Sequence, residues 1–277
     1  MTTRTVTGVY EGMATQDGAG VSLTRIIGQP AIKRLDPFLM LDFFSSDKPG
    51  EYIAGFPPHP HRGFQTVTYM LAGKMRHRDS VGNEGLIQSG GIQWMNAGRG
   101  LIHEEMPEQE EGLLQGFQLW VNLPASQKMS APGYQDIQPD AVPHVSLTDK
   151  TIVKVLAGDF EGQAGPVQTN SVKPLFTDFI VSERDKFDVT LPASHTAFVY
   201  CYEGGVEIAE KPVEQGQLAV LSAGEFFSVK AVQAAKFILV AGAPLHEPVV
   251  QYGPFVMNTD EEIQQALQDY QSGKLAN

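Results

Sequence analysis

Between residues 65 and 123, apolar and polar positions alternate in a succession of short runs, QTVTYMLAG, KMRHRDS, GLIQSGG, IQWMNAG, LIHEEM and FQLWVNL, separated by Gly, Asn and Asp. A period of two places successive side chains on opposite faces of a pleated strand. Such runs, broken by turn residues, predict the antiparallel strands of a sandwich or barrel rather than a parallel α/β sheet. A second series starts at residue 151: TIVKVLAGDF, DFIVSE, FDVTLP, HTAFVYCYEGGVEI, QLAVLSAG, EFFSVKA and AKFILVAG. The stretch between them, APGYQDIQPDAVPHVSLTDK, is polar and proline-containing and reads as a connection. The pattern therefore predicts an all-β chain of two domains, residues 1–130 and 131–246, followed by a tail at 247–277. The tail holds the one helix the pattern predicts. Thr259 and Glu262 have the spacing of a capping box, Ile263, Ala266, Leu267 and Tyr270 share a face that must dock on a domain, and Gly273 can end the helix. No fixed-period sequence repeat relates the two halves.

Composition narrows the function. The 277 residues carry a formal net charge of −12, which opposes sequence-independent binding to nucleic acid and gives no attraction to anionic membranes. Expected partners are neutral or cationic small molecules, or proteins. No apolar run approaches the ~20 residues that span a bilayer, and the first residues, MTTRTVTGVY, lack the apolar core of a secretory signal. One cysteine, Cys201, excludes an internal disulfide framework, and its place among strand residues without an adjacent base predicts a buried, inert thiol. These features predict a soluble protein of a reducing compartment, by default the cytoplasm.

Candidate chemistry lies in two short stretches. In FPPHPHRGFQ, His59 and His61 are two apart, so a strand places both imidazoles on one face, while Pro60 suits a strand edge or start. A single His-x-His in a proline-rich segment is commonly no more than exposed polarity. In GRGLIHEEM, however, His103 and Glu105 repeat the spacing after a glycine-rich turn, and Glu104 then faces away. Pairing the two strands in one barrel would direct three nitrogen donors and one oxygen donor at a single point, a set suited to a divalent first-row metal. The isolated His77, His144, His195 and His246 are expected to be hydrogen-bonded or solvent-facing. The second half has no His-x-His pair and cannot assemble such a set.

The stretches HPHRGFQTVTYMLAGKMRHRDSVGNEG, IQWMNAGRGLIHEEMP, GFQLWVNLP and QYGPFVMNTDEEI resemble the pirin family of bicupins over nearly the whole chain. The resemblance implies two stacked cupin β-barrels, the first holding one metal and the second degenerate and metal-free. It implies ligands at His59, His61, His103 and Glu105. General cupins supply a glutamate ligand from the first motif; the corresponding position is Gln65, a departure also from many pirins, and Gln65 is expected beside the ligands as a tuning residue. The implied activity is that of a quercetin 2,3-dioxygenase, cleaving a flavonol with dioxygen and releasing carbon monoxide, with Glu105 carrying the substrate proton. Iron(II) is the first choice of metal, and copper, nickel, manganese, cobalt and zinc suit the same donors. The resemblance also implies an alternative: a metal- or redox-sensing regulator acting through a protein partner, nuclear in animal members.

Overall fold

The computed structural model describes residues 2–169 and 171–276. Two compact units emerge, each built from a seven-stranded and a four-stranded antiparallel sheet. One comprises residues 13–34, 38–139 and 245–277; the other comprises 1–12, 35–37 and 140–244. These units do not follow the ranges 1–130, 131–246 and 247–277 expected from the pattern. The strand Val6–Glu11 pairs with Gln217–Leu221 at the edge of the second unit's large sheet, and the tail belongs to the first unit. Alternation identifies a strand but not a partner more than 200 residues away. Among the described residues no helix is long and apolar enough to cross a membrane.

In the first unit the large sheet runs Gly133–Ile137, Ile92–Asn96, Phe64–Ala72, Leu114–Asn122, Phe38–Ser46, Val21–Ile27 and Met13–Asp17. The small sheet runs Phe56–His61, Leu101–Pro107, Lys74–Asp79 and Glu84–Gln88. Phe56–His61 is an edge strand, where the missing N–H groups of Pro57, Pro58 and Pro60 are tolerated. The sheets close on one another at one end through Val21, Leu23, Phe44, Met70 and Leu114 from the large sheet and Met75 and Ile87 from the small one.

The second unit closes by the same route over a largely apolar interior. A row of directly opposed residues across its large sheet reads Val153, Phe179, Phe237 and Cys201. Phe179 stacks on Phe237 at 4.6 Å and on Phe187 from the small sheet at 5.9 Å. Cys201 is fully buried, and burial pushes its thiol up to about 12, so it stays protonated.

The tail completes the first unit. The helix Asp260–Gln271 begins at the predicted capping box, and Gly273 follows its end with φ +71°. Ile263 and Ala266 are buried with Phe255, Met257 and Leu275, against which Ile102 and Leu267 pack; Tyr270, expected on the same face, is 41% exposed. Ile102 is the neighbour of His103, so the helix covers the back of the histidine-bearing sheet. Two cations pin this arrangement. Arg62 donates to Asp269 at 2.7 Å. Lys128, 1% exposed, donates to the carbonyls of Gly63 (2.7 Å) and Val256 (3.0 Å) and to Asn122 Oδ1 (2.6 Å). Burial pushes the Lys128 ammonium down to about 8, which leaves it mostly charged at neutral pH. Lys128→Met strands the Gly63 and Val256 carbonyls, whereas Asn122 Oδ1 keeps the Leu123 N–H at 3.0 Å; at about 1–3 kcal/mol for each unpaired acceptor, urea unfolding should report a loss of roughly 2 kcal/mol or more.

Candidate metal centre

The two histidine-bearing strands pair with each other. Phe56–His61 lies antiparallel to Leu101–Pro107 with His59 directly opposite His103 and His61 opposite Leu101, which makes His61 the diagonal neighbour of His103. The rings of His59 and His61 are 4.6 Å apart, those of His59 and His103 4.6 Å, and those of His61 and His103 5.0 Å. Their candidate ligand atoms all lie within 4.8 Å of one another. His61 and His103 are 3% and 1% exposed, whereas His59 is half-buried at the cavity wall.

The donors are in the state a metal requires. Burial, followed by the neighbouring imidazoles, pushes both His61 and His103 well below the ordinary histidine value, so they are neutral at neutral pH. Neither ring nitrogen of His103, nor Nδ1 of His61, has a hydrogen-bond partner among the described residues. His59 Nδ1 is paired with the Pro57 carbonyl at 2.8 Å, which leaves Nε2 as its donor atom. Unpartnered polar atoms this deeply buried are destabilising unless something else meets them, and a divalent ion would take one nitrogen from each of the three rings.

Glu105 lies outside this three-histidine group. The register shifts between His103 and Glu105, placing Glu105 opposite Phe56. Its carboxylate, 3% exposed, accepts from Thr68 Oγ1 on Oε1 (2.9 Å) and from Gln118 Nε2 on Oε2 (2.9 Å). Both donors come from the large sheet, so the carboxylate is clamped between the two sheets.

Thr68 and Gln118 belong to a longer row. Across the large sheet, directly opposed residues read Arg25, Asp42, Gln118, Thr68, Gln93 and Asp136. Directly opposed residues point to one face, so six polar side chains cross the sheet in a line. Asp136 ends the line, accepting from Gln93 Nε2 at 2.8 Å and paired with His77 Nε2 at 2.9 Å. His77 is thereby hydrogen-bonded, as expected, and His144 and His246 are exposed. Where this row is polar, the row described in the second unit is made of Val153, Phe179, Phe237 and Cys201.

Gln65 occupies the other face. It opposes Val121 and Asn96, and by alternation it points away from Thr66 and Thr68. A tuning role next to the ligands requires the face that Thr68 occupies. Gln65→Ala should therefore leave metal content within about 2-fold of wild type, well short of the ~10–100-fold loss that follows when a residue supporting a ligand is removed. Elemental analysis of the purified variant measures this.

A cavity of about 720 Å³ opens onto the site, in the range that takes a drug-sized molecule. His59, His61, Glu105 and Gln118 form one wall, with Leu23, Leu39, Met40, Phe44, Phe56 and Trp120 as apolar sides. Trp120 also packs on His61, ring centroids 5.5 Å apart.

Comparison with known proteins agrees with this architecture. The pirin family model matches residues 20–121, and the pirin C-terminal cupin domain matches residues 176–276. A pirin-like protein of Caulobacter vibrioides is 47% identical over 99% of this chain and 100% of its own length. Human pirin is 43% identical over 93% of this chain and 89% of its own. A crystal structure of quercetin 2,3-dioxygenase from Acinetobacter baumannii superposes with a TM-score of 0.93 at 34% identity, covering 99% of both chains.

Proposed function

This chain belongs to the pirin family, and we propose that it is a metal-dependent dioxygenase of the quercetin 2,3-dioxygenase type. Its substrate is a flavonol or another enolisable phenol. The observation that carries the reading is the set of three mutually adjacent imidazoles, two of them buried and unpartnered, at the wall of a cavity that also presents a clamped carboxylate. His59, His61 and His103 would hold the ion, with Glu105 as the oxygen donor beside them. Iron(II) suits this mixed nitrogen and oxygen set, and the other first-row divalent ions can occupy it. When bound, the metal acidifies a coordinated hydroxyl and provides open positions for substrate and dioxygen.

The protein's own groups do the rest. The apolar walls from Leu39 to Trp120 bind the flat aromatic rings and exclude water. Glu105 accepts the 3-hydroxyl proton; it is an acceptor already oriented by Thr68 and Gln118, so no reorganisation is needed when the proton arrives. In the overall reaction both oxygen atoms of dioxygen enter the product and one ring carbon leaves as carbon monoxide. The test is to load the protein with iron, copper, nickel, manganese, cobalt or zinc in turn and to follow dioxygen uptake and carbon monoxide release with a panel of flavonols. Stoichiometric release with at least one metal is expected. If no metal supports uptake or release, the enzyme reading gives way to the regulatory one.

A further inference from the structure

The polar row across the large sheet ends in the cavity with a charged group that nothing above uses. Arg25 forms a side-on fork with the buried Asp42, Nε to Oδ1 at 2.9 Å and Nη2 to Oδ2 at 2.8 Å. The second N–H of Nη2 donates to Asp17 Oδ2 at 2.8 Å. These bonds employ Nε and Nη2 fully and leave Nη1, with two N–H groups, without an acceptor among the described residues. All three residues line the cavity that reaches His59 and His61.

Stability alone does not account for the trio. Asp42 is 2% exposed, and taking a carboxylate out of water costs several kcal/mol; an apolar pair of similar volume commonly does as well. What the fork supplies is orientation. A guanidinium held on two edges presents its third edge in a fixed direction, ready for an oxygen acceptor. The charges at this end of the cavity, Arg25 and Lys33 against Asp17 and Asp42, cancel. An anionic substrate therefore gains little there. A pair of adjacent hydroxyls gains more, because one can accept from Arg25 while its neighbour donates to Asp17.

We propose that Arg25 and Asp17 are specificity-determining residues that select aromatic substrates carrying two adjacent hydroxyls on the ring remote from the metal. The inference rests on the flavonol reading of the cavity and names the substrate class within it. It predicts graded affinity among flavonols that share the metal-binding end: quercetin, with two adjacent hydroxyls on the pendant ring, above kaempferol with one and galangin with none.

The experiment is binding to the metal-loaded full chain without dioxygen, followed by quenching of tryptophan fluorescence. Wild-type protein should bind quercetin at least about 10-fold more tightly than galangin, the size expected for hydrogen bonds to a charged group. Asp17→Ala removes a half-exposed acceptor, and Arg25→Lys keeps a cation beside Asp42 but loses the fork. Each should bring the quercetin-to-galangin ratio to within about 2-fold while leaving galangin affinity unchanged. If Arg25→Lys does not fold, Asp17→Ala carries the test. Equal wild-type affinities, an unchanged ratio in the folded variants, or failure of all three flavonols to bind overturns the proposal. Because no turnover is involved, graded binding without oxygenation would count against the dioxygenase reading alone, and oxygenation without graded binding against this one alone.

Discussion

His103→Ala should leave the protein without a bound metal ion. His103 is opposed by His59 across the strand pair, 4.6 Å away ring to ring, and lies 5.0 Å from His61, so it adjoins both other imidazoles. Removing it leaves two imidazoles and one oxygen donor. The loss of a supporting partner outside the ligand set is already worth about 10–100-fold in affinity, and removal of a ligand must exceed that. Purified wild-type protein is expected to hold close to one ion per chain, and the variant less than about a tenth of that. His61→Ala and His59→Ala should behave alike. His195→Ala, in the other unit, should retain the ion. Elemental analysis after desalting, with circular dichroism to verify folding, decides the matter; full occupancy in the three variants would remove the site assignment.

Glu105→Gln should separate metal binding from turnover. An amide oxygen can still serve as a donor to the ion, so occupancy should fall only in part. An amide is no base at neutral pH, so turnover per bound metal should fall by ~100-fold or more. The surrounding bonds make the substitution tolerable. Thr68 can still donate to the amide oxygen, and the Gln118 amide can turn to offer its oxygen to the new N–H group, whereas Glu105→Ala would leave both donors facing a void. Measuring dioxygen uptake against metal content in one preparation gives the ratio directly. Unchanged turnover per ion would confine Glu105 to a structural or ligating part.

What was legible in the sequence follows from what a period of two can encode. His59, His61, His103 and Glu105 stand out because each pair is local, and local spacing fixes the face. The capping box at Thr259 is local in the same way. The clamp on Glu105 is not. Thr68, Gln118, Asp42 and Arg25 are single polar residues on four different strands, and only the register between strands lines them up. A weak signal existed for three of them, since Thr68, Gln118 and Asp42 are each a polar residue between apolar ones, as in FLMLDFF and GFQLW. Gln65 shows the converse error. Its place in a motif suggested proximity to the metal, but it stands one residue out of step with the ligand-facing positions, and a shift of one residue in a strand changes the face.

The interleaving of the chain also has a consequence for synthesis on the ribosome. The strand that carries His61 is sealed at its end by Arg62 and Gly63, through bonds to Pro254, Val256, Asp269 and Lys128. At ~5–20 residues per second, the ribosome needs tens of seconds to travel from this strand to those partners in the tail. During that interval the strand is an unsealed sheet edge on a nascent chain, the situation in which neighbouring copies on one message are most prone to pair. Pro57, Pro58 and Pro60 deprive that edge of three N–H donors. The prolines that flank the first two histidines thus guard this edge during synthesis and, because the strand stays at the rim of its sheet, in the finished fold as well.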